Sequence, residues 1–227
     1  MDISPRLTVL YPYLALAFAL LASTLSLRSW RRRAGEHKAA LLYFLAFFLL
    51  LLALPVLIVL VQGGQPLEFL RGLGLRAGDV RLGLLLTAAA VLPAFLSTLV
   101  SRRDPAMQRQ YPFSKSACLS ARKLAAYEIA YVVLYYLPWE FAFRGLLFFP
   151  LIPDLGLVPA LAVQTLLSTL YHIGHPDTEI LAALGAGIVF GLVAYHTGSI
   201  LYTAAIHGLV GVLTDTALCR RHRLTAP

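Results

Sequence analysis

The sequence predicts an all-α fold, a polytopic transmembrane helix bundle of about seven spans. Three observations carry that expectation. Of 227 residues, 59% are hydrophobic and only 13% charged, and the mean hydropathy of +0.76 lies outside the range of soluble domains. Apolar runs of about 20 residues recur along the chain, the length needed to cross a hydrocarbon core of roughly 30 Å at about 1.5 Å per residue. The basic excess, a net charge of +8, is gathered in short clusters beside those runs: "RSWRRR" (28 to 33), "SRR" (101 to 103), "ARK" (121 to 123) and "CRRHR" (219 to 223). Lys and Arg collect in this way in cytoplasmic loops facing an anionic leaflet, so the charge is a topology signal and argues against nucleic acid as a partner.

Taken in order, the expected spans run over 8–27, 39–62, 82–100, 125–149, 157–174, 180–197 and 199–218. The first is too long for a cleaved signal peptide, and its positive charge follows the apolar stretch instead of preceding it. Placing residues 28–33 in the cytoplasm puts the loop 101–121 and the C-terminal tail there as well, with the N-terminus outside. The loop "GGQPLEFLRGLGLRAGDV" (63 to 80) would then be external, and the loop 104–123 ends in a basic, partly amphipathic stretch suited to the membrane surface. Gly185, Gly187 and Gly191 should allow close helix contact. Cys118 and Cys219 lie beside basic clusters, on the side where thiols stay reduced, so no disulfide is expected.

An ionisable side chain within a span costs several kcal/mol unless it is paired or faces a polar cavity, which makes each one a functional candidate. Within the expected spans or at their ends stand Glu128, Glu140, Arg144, His172, His175, His196, His207 and Asp215. Glu140 and Arg144 are at i and i+4 and can pair on one helix. His172 and His175 share a face in "YHIGHP", and His207, Gly211 and Asp215 fall on nearly one stripe of the last span. His196 lies at a short turn and should be solvated, and Glu128 has no evident role. A Glu, an Arg, several His and an Asp on three separate spans are what a proton-handling hydrolytic site uses.

At these residues the sequence resembles the CPBP family of intramembrane proteases, the CAAX prenyl protease and bacteriocin-processing family, also called Abi. Three ordered segments carry the resemblance: "WEFAFRGLLFF" (139 to 149), "LSTLYHIGHP" (167 to 176) and "GLVAYHTGSILYTAAIHGLVG" (191 to 211). It implies a CAAX-protease-like core in the C-terminal four spans. The chain then divides into variable N-terminal helices and a basic loop (1–124), the core (125–219) and a basic tail (220–227).

The resemblance further implies an integral protein of the bacterial cell membrane. It would be an endopeptidase of the glutamic type, with a membrane-associated protein or peptide as substrate and no cofactor. Carried over by position, Glu140 and Arg144 match the second Glu and the Arg of the first motif. Tyr171 and His175 match the aromatic and the His of the second, and His207 matches the late His. The implied catalytic set is Glu140 as base, His175 activating water and His207 stabilising the oxyanion, supported by Arg144, His172, Asp215, Trp139 and Tyr171.

Two positions depart from the family pattern: Trp139 stands where its first Glu usually is, and Gly211 where it has Asn. The lone Glu in "PWEFAFRG", the His followed by "PDTE" and the Asp one turn beyond position 211 resemble a divergent branch linked to C-terminal sorting tails. The departures also leave open a catalytically inactive member acting as an immunity or scaffold protein. A metal held by Glu140, His172, His175 and His207 is a less favoured option, and a transporter has no inverted repeat to support it.

Overall fold

The computed structural model describes the backbone of residues 4–225 and the side chains of residues 9–222. The helices are α1 (Ser4–Ala22), α2 (Leu27–Arg33), α3 (Glu36–Val61), α4 (Pro66–Gly72), α5 (Val80–Ser101), α6 (Pro105–Gln110), α7 (Ala121–Leu155), α8 (Leu157–Leu170), α9 (Asp177–Thr197) and α10 (Leu201–Thr225). A short 3₁₀ turn, Lys115–Leu119, precedes α7, and no strand occurs among the described residues.

The expected count of seven spans is not confirmed: among the described residues five helices, α3, α5, α7, α9 and α10, are long and apolar enough to cross a membrane, and α1 with α2 makes a sixth as a pair bent by 49°. The segment expected over 157–174 forms a helix of 14 residues, about 21 Å at the usual rise and short of a roughly 30 Å core. Its last residues instead turn tightly through Gly174, which adopts φ +97°.

Two helices widen into π turns just ahead of a proline. Pro55 in α3 follows the widened stretch Leu49–Ala53, and Pro138 in α7 follows Val132–Tyr136. Proline lacks the N–H that would close the preceding turn on the carbonyl four residues back, and a wider turn accommodates the gap. A third widened stretch, Phe141–Phe148, begins directly after Glu140 and contains Arg144.

Along α7, Tyr127, Tyr131, Tyr135 and Trp139 recur every four residues and so form one aromatic stripe. It packs on α3, with Phe44 and Tyr131 stacked at 4.5 Å and Phe47 and Tyr135 at 4.3 Å between ring centres. Each such pair contributes about 0.5–1.5 kcal/mol beyond its buried area. On α5 the apolar side chains Leu84, Leu85, Leu92, Phe95 and Leu96 are exposed, as befits a lipid-facing helix.

The loop 104–123 packs into the bundle: Met107, Tyr111, Phe113, Ala117 and Cys118 are buried, because the aromatic pair Tyr111 and Phe113 inserts beside Tyr131 and Tyr135, while Arg122 and Lys123 at its basic end are exposed. One expectation for it is corrected: the cysteines are not free. Cys118 and Cys219, 101 residues apart, form a disulfide with Cα atoms 4.9 Å from each other. The folded-back loop sets the 3₁₀ turn against α10, a proximity that the separation in sequence conceals.

The glycines of α9 act as expected in part. A Cβ on Gly187 or Gly191 would crowd Thr165, Leu161 and Gln164 of α8, whereas one on Gly185 would meet nothing. At the opposite end, the loop before α5 is tied to the α9–α10 turn: Arg76 Nε donates to Gly198 O at 2.9 Å and Asp79 N to Thr197 O at 2.8 Å. His196, expected at a turn, is in the last turn of α9 and is exposed.

Candidate active site

Glu140 is fully buried, and a lone carboxylate there would be costly, so its partners define the site. Oε1 lies 3.3 Å from an Arg144 guanidinium nitrogen, one turn on, and 2.7 Å from His207 Nδ1 of α10. A carboxylate only accepts, so His207 donates from Nδ1 and its Nε2 is left for another partner. The His207 ring is held by Tyr136 at 4.4 Å, Phe190 at 5.6 Å and Trp139 at 6.3 Å, and the Arg144 guanidinium sits 5.3 Å over the Phe190 ring.

The two histidines expected from "YHIGHP" diverge. His172 Nδ1 lies 2.7 Å from Ser168 O, the carbonyl one turn back, and its ring is 5.0 Å from Trp139. His175 Nδ1 lies 2.9 Å from Glu179 Oε1. That same oxygen accepts from Tyr111 Oη at 2.7 Å and is 4.0 Å from His172 Nε2. Burial first, and the Glu179 carboxylate next, hold the Tyr111 hydroxyl well above its ordinary pKa, so it remains a donor.

These groups surround a cavity of about 520 Å³. Trp139, Arg144, His172, Glu179, His207 and Asp215 all line it. Glu140 stands behind His207 and His175 behind Glu179, neither on the cavity wall itself. Tyr171 packs on Trp139 at 5.4 Å and lines a separate, mostly apolar hollow. Asp215 is buried on the cavity wall with neither carboxyl oxygen hydrogen-bonded among the described residues, and it makes no bond to His207. Glu128, also buried, likewise leaves both oxygens without a partner. Among the described residues no three His, Cys, Asp or Glu side chains are placed to hold a metal ion.

Gly211 is explained by Tyr136: a Cβ at 211 would overlap the Tyr136 hydroxyl. The space is taken from α7, so a larger side chain at this point of α10 requires Tyr136 to shift. Sequence reasoning missed Glu179 and Tyr111. Glu179 carried a signal, since it falls at i+4 from His175 in the first turn of α9, whereas Tyr111 comes from a loop 64 residues before His175 and had none.

Small residues of α5 and α9 line the cavity, Ala90, Pro93 and Ala94 from one helix and Ala182, Ala183 and Ala186 from the other. Fold and site together define a class: integral membrane helix bundles with buried acid–histidine pairs opening on an apolar cavity. Residues 122–213, from the start of α7 into α10, match the family model described as type II CAAX prenyl endopeptidase Rce1-like, in agreement with the CPBP resemblance. No curated protein and no solved structure matches the chain.

Proposed function

We propose that the protein is an intramembrane endopeptidase of the CAAX prenyl protease type that hydrolyses a peptide bond in the C-terminal tail of a membrane-associated protein or peptide. One observation supports this above the others: within the region that matches the Rce1-like family, His207 is held at 2.7 Å by buried Glu140 and lines, with Arg144, a cavity walled by small apolar residues of two helices. A tail entering from the bilayer would pass alanine methyls and meet cationic and imidazole groups only at the scissile carbonyl. The chemistry is the glutamate and histidine type, with no metal, and the setting is a bacterial cell membrane.

In this arrangement Glu140 works through His207. Its Oε1 is shared by Arg144 and His207, and the group lies off the cavity wall, so it orients the imidazole and stabilises the imidazolium form. Protonated His207 then donates Nε2–H towards the oxyanion with Arg144 adding positive charge, an arrangement that stabilises the charge developing on the carbonyl oxygen. His175 bears on the cavity through Glu179.

The test uses purified protein with peptides bearing prenylated tails and hydrophobic sorting tails, in detergent and in liposomes. Wild type cleaves one class, chelators leave the rate unchanged, and His207→Ala abolishes cleavage while the protein stays folded. Cleavage by His207→Ala at the wild-type rate would sink the assignment. Trp139 at the position of the family's first Glu favours a second reading, an inactive member serving as an immunity or scaffold protein; folded wild type that cuts neither tail class would establish it.

A further inference from the structure

The family pattern has an acid at the position of Trp139, and a hydrolytic site still needs a group to take the proton of the attacking water. Glu179 meets that need from another helix. It lines the same cavity as His207, Arg144 and Trp139. Its Oε1 is fixed by two donors, the Tyr111 hydroxyl at 2.7 Å and His175 Nδ1 at 2.9 Å, while Oε2 has no hydrogen-bond partner among the described residues.

His172 completes the arrangement. The Ser168 carbonyl 2.7 Å from Nδ1 can only accept, so the ring hydrogen is on Nδ1 and Nε2 carries a lone pair. That nitrogen lies 4.0 Å from Glu179 Oε1. Two acceptors at that spacing on one cavity wall suit a single water that donates one hydrogen to each, since donor distances of about 2.8 Å at a water angle near 90–105° span about 4 Å.

We infer that Glu179 is the general base of the site, with His172 holding the attacking water and with Tyr111 and His175 as positioning residues. The inference rests on the endopeptidase reading and supplies its missing base. The water oxygen bonds to the scissile carbonyl carbon as Glu179 Oε1, the oxygen that faces it, takes one of its protons. The carbonyl π pair moves to oxygen, opposite His207 and Arg144. When the tetrahedral adduct collapses, the C–N bond breaks and the proton held by Glu179 passes to the departing amine. No co-reactant other than water is consumed.

The experiment measures cleavage of the tail peptide by the full-length protein and its Glu179→Gln, His172→Gln and Glu179→Ala variants, alongside thermal unfolding in the same detergent. Glu179→Gln is expected to lower kcat by about 10²- to 10⁴-fold, the usual range for a lost general base, with KM within about threefold. His172→Gln is expected to lower kcat in the same sense. Added formate should restore part of the activity of Glu179→Ala, which loss of a purely structural contact would not allow.

Glu179→Gln cleaving within about tenfold of wild type would overturn the assignment while leaving the protease reading intact. If Glu179→Gln does not fold, His172→Gln decides, and a wild-type rate in that variant overturns it equally. Wild type silent on every tail peptide would overturn both readings at once.

Discussion

Glu140 Oε1 and His207 Nδ1 meet at 2.7 Å across 67 residues of sequence, joining α7 to α10 at the centre of the bundle. The contact fixes the histidine tautomer and leaves Nε2 for the cavity. It also ranks the two residues by what they do. His207 touches whatever enters, while Glu140 acts through it.

Glu140→Gln should therefore be milder than His207→Ala. Glutamine still offers an oxygen to Nδ1 but no charge to stabilise the imidazolium. Single-turnover cleavage should fall by about 10- to 100-fold for Glu140→Gln and by about 10³-fold for His207→Ala. Equal losses would show that Glu140 takes part directly.

Arg144 should matter for stability as well as for chemistry. Arg144→Leu leaves the fully buried Glu140 without its cationic partner, and breaking a buried pair in this way costs about 3–5 kcal/mol. Adding Glu140→Gln to Arg144→Leu should recover most of that loss. Thermal unfolding of the two single variants and the double variant in one detergent checks it, and a strictly additive result would contradict the pairing.

Gly211→Ala is expected to destabilise by about 1–3 kcal/mol, because the added methyl overlaps the Tyr136 hydroxyl. Tyr136→Phe removes the nearest atom and should relieve part of the cost. A Gly211→Ala variant as stable as wild type would mean that Tyr136 is free to move aside. The same clash predicts that Gly211→Asn, although it restores the family's residue type, does not improve activity.

The disulfide offers a further check. Cys118 and Cys219 close a long loop, so Cys219→Ser or full reduction should lower stability by about 2–4 kcal/mol. A maleimide gel shift before and after reduction reports whether both thiols are bonded. Labelling of unreduced protein at both positions would refute the link.

The bundle itself was legible because lipid solvation writes long apolar runs into the sequence, and five expected spans correspond to helices able to cross. The short α8 was not, since its apolar run continues in sequence through Tyr171 and Ile173 beyond the point where the backbone turns. Glu140, Arg144 and His207 could be named because an ionisable group in an apolar run stands out against its surroundings. Glu179 was passed over although it stands at i+4 from His175, because in "HPDTE" a carboxylate looks like an ordinary helix start, and Tyr111 could not be named, since it sits in a loop whose burial depends on tertiary packing. The disulfide was misjudged for the same reason, because local charge says nothing of a partner 101 residues away.

The indole of Trp139 packs on both histidines of the cavity, 5.0 Å from His172 and 6.3 Å from His207. It lines the same cavity as Arg144, His207 and Glu179, so one side chain braces both imidazoles. Two acids on different helices, Glu140 and Glu179, each hold a histidine. A glutamate at position 139 would remove the surface on which both rings rest and set a further carboxylate beside Glu140.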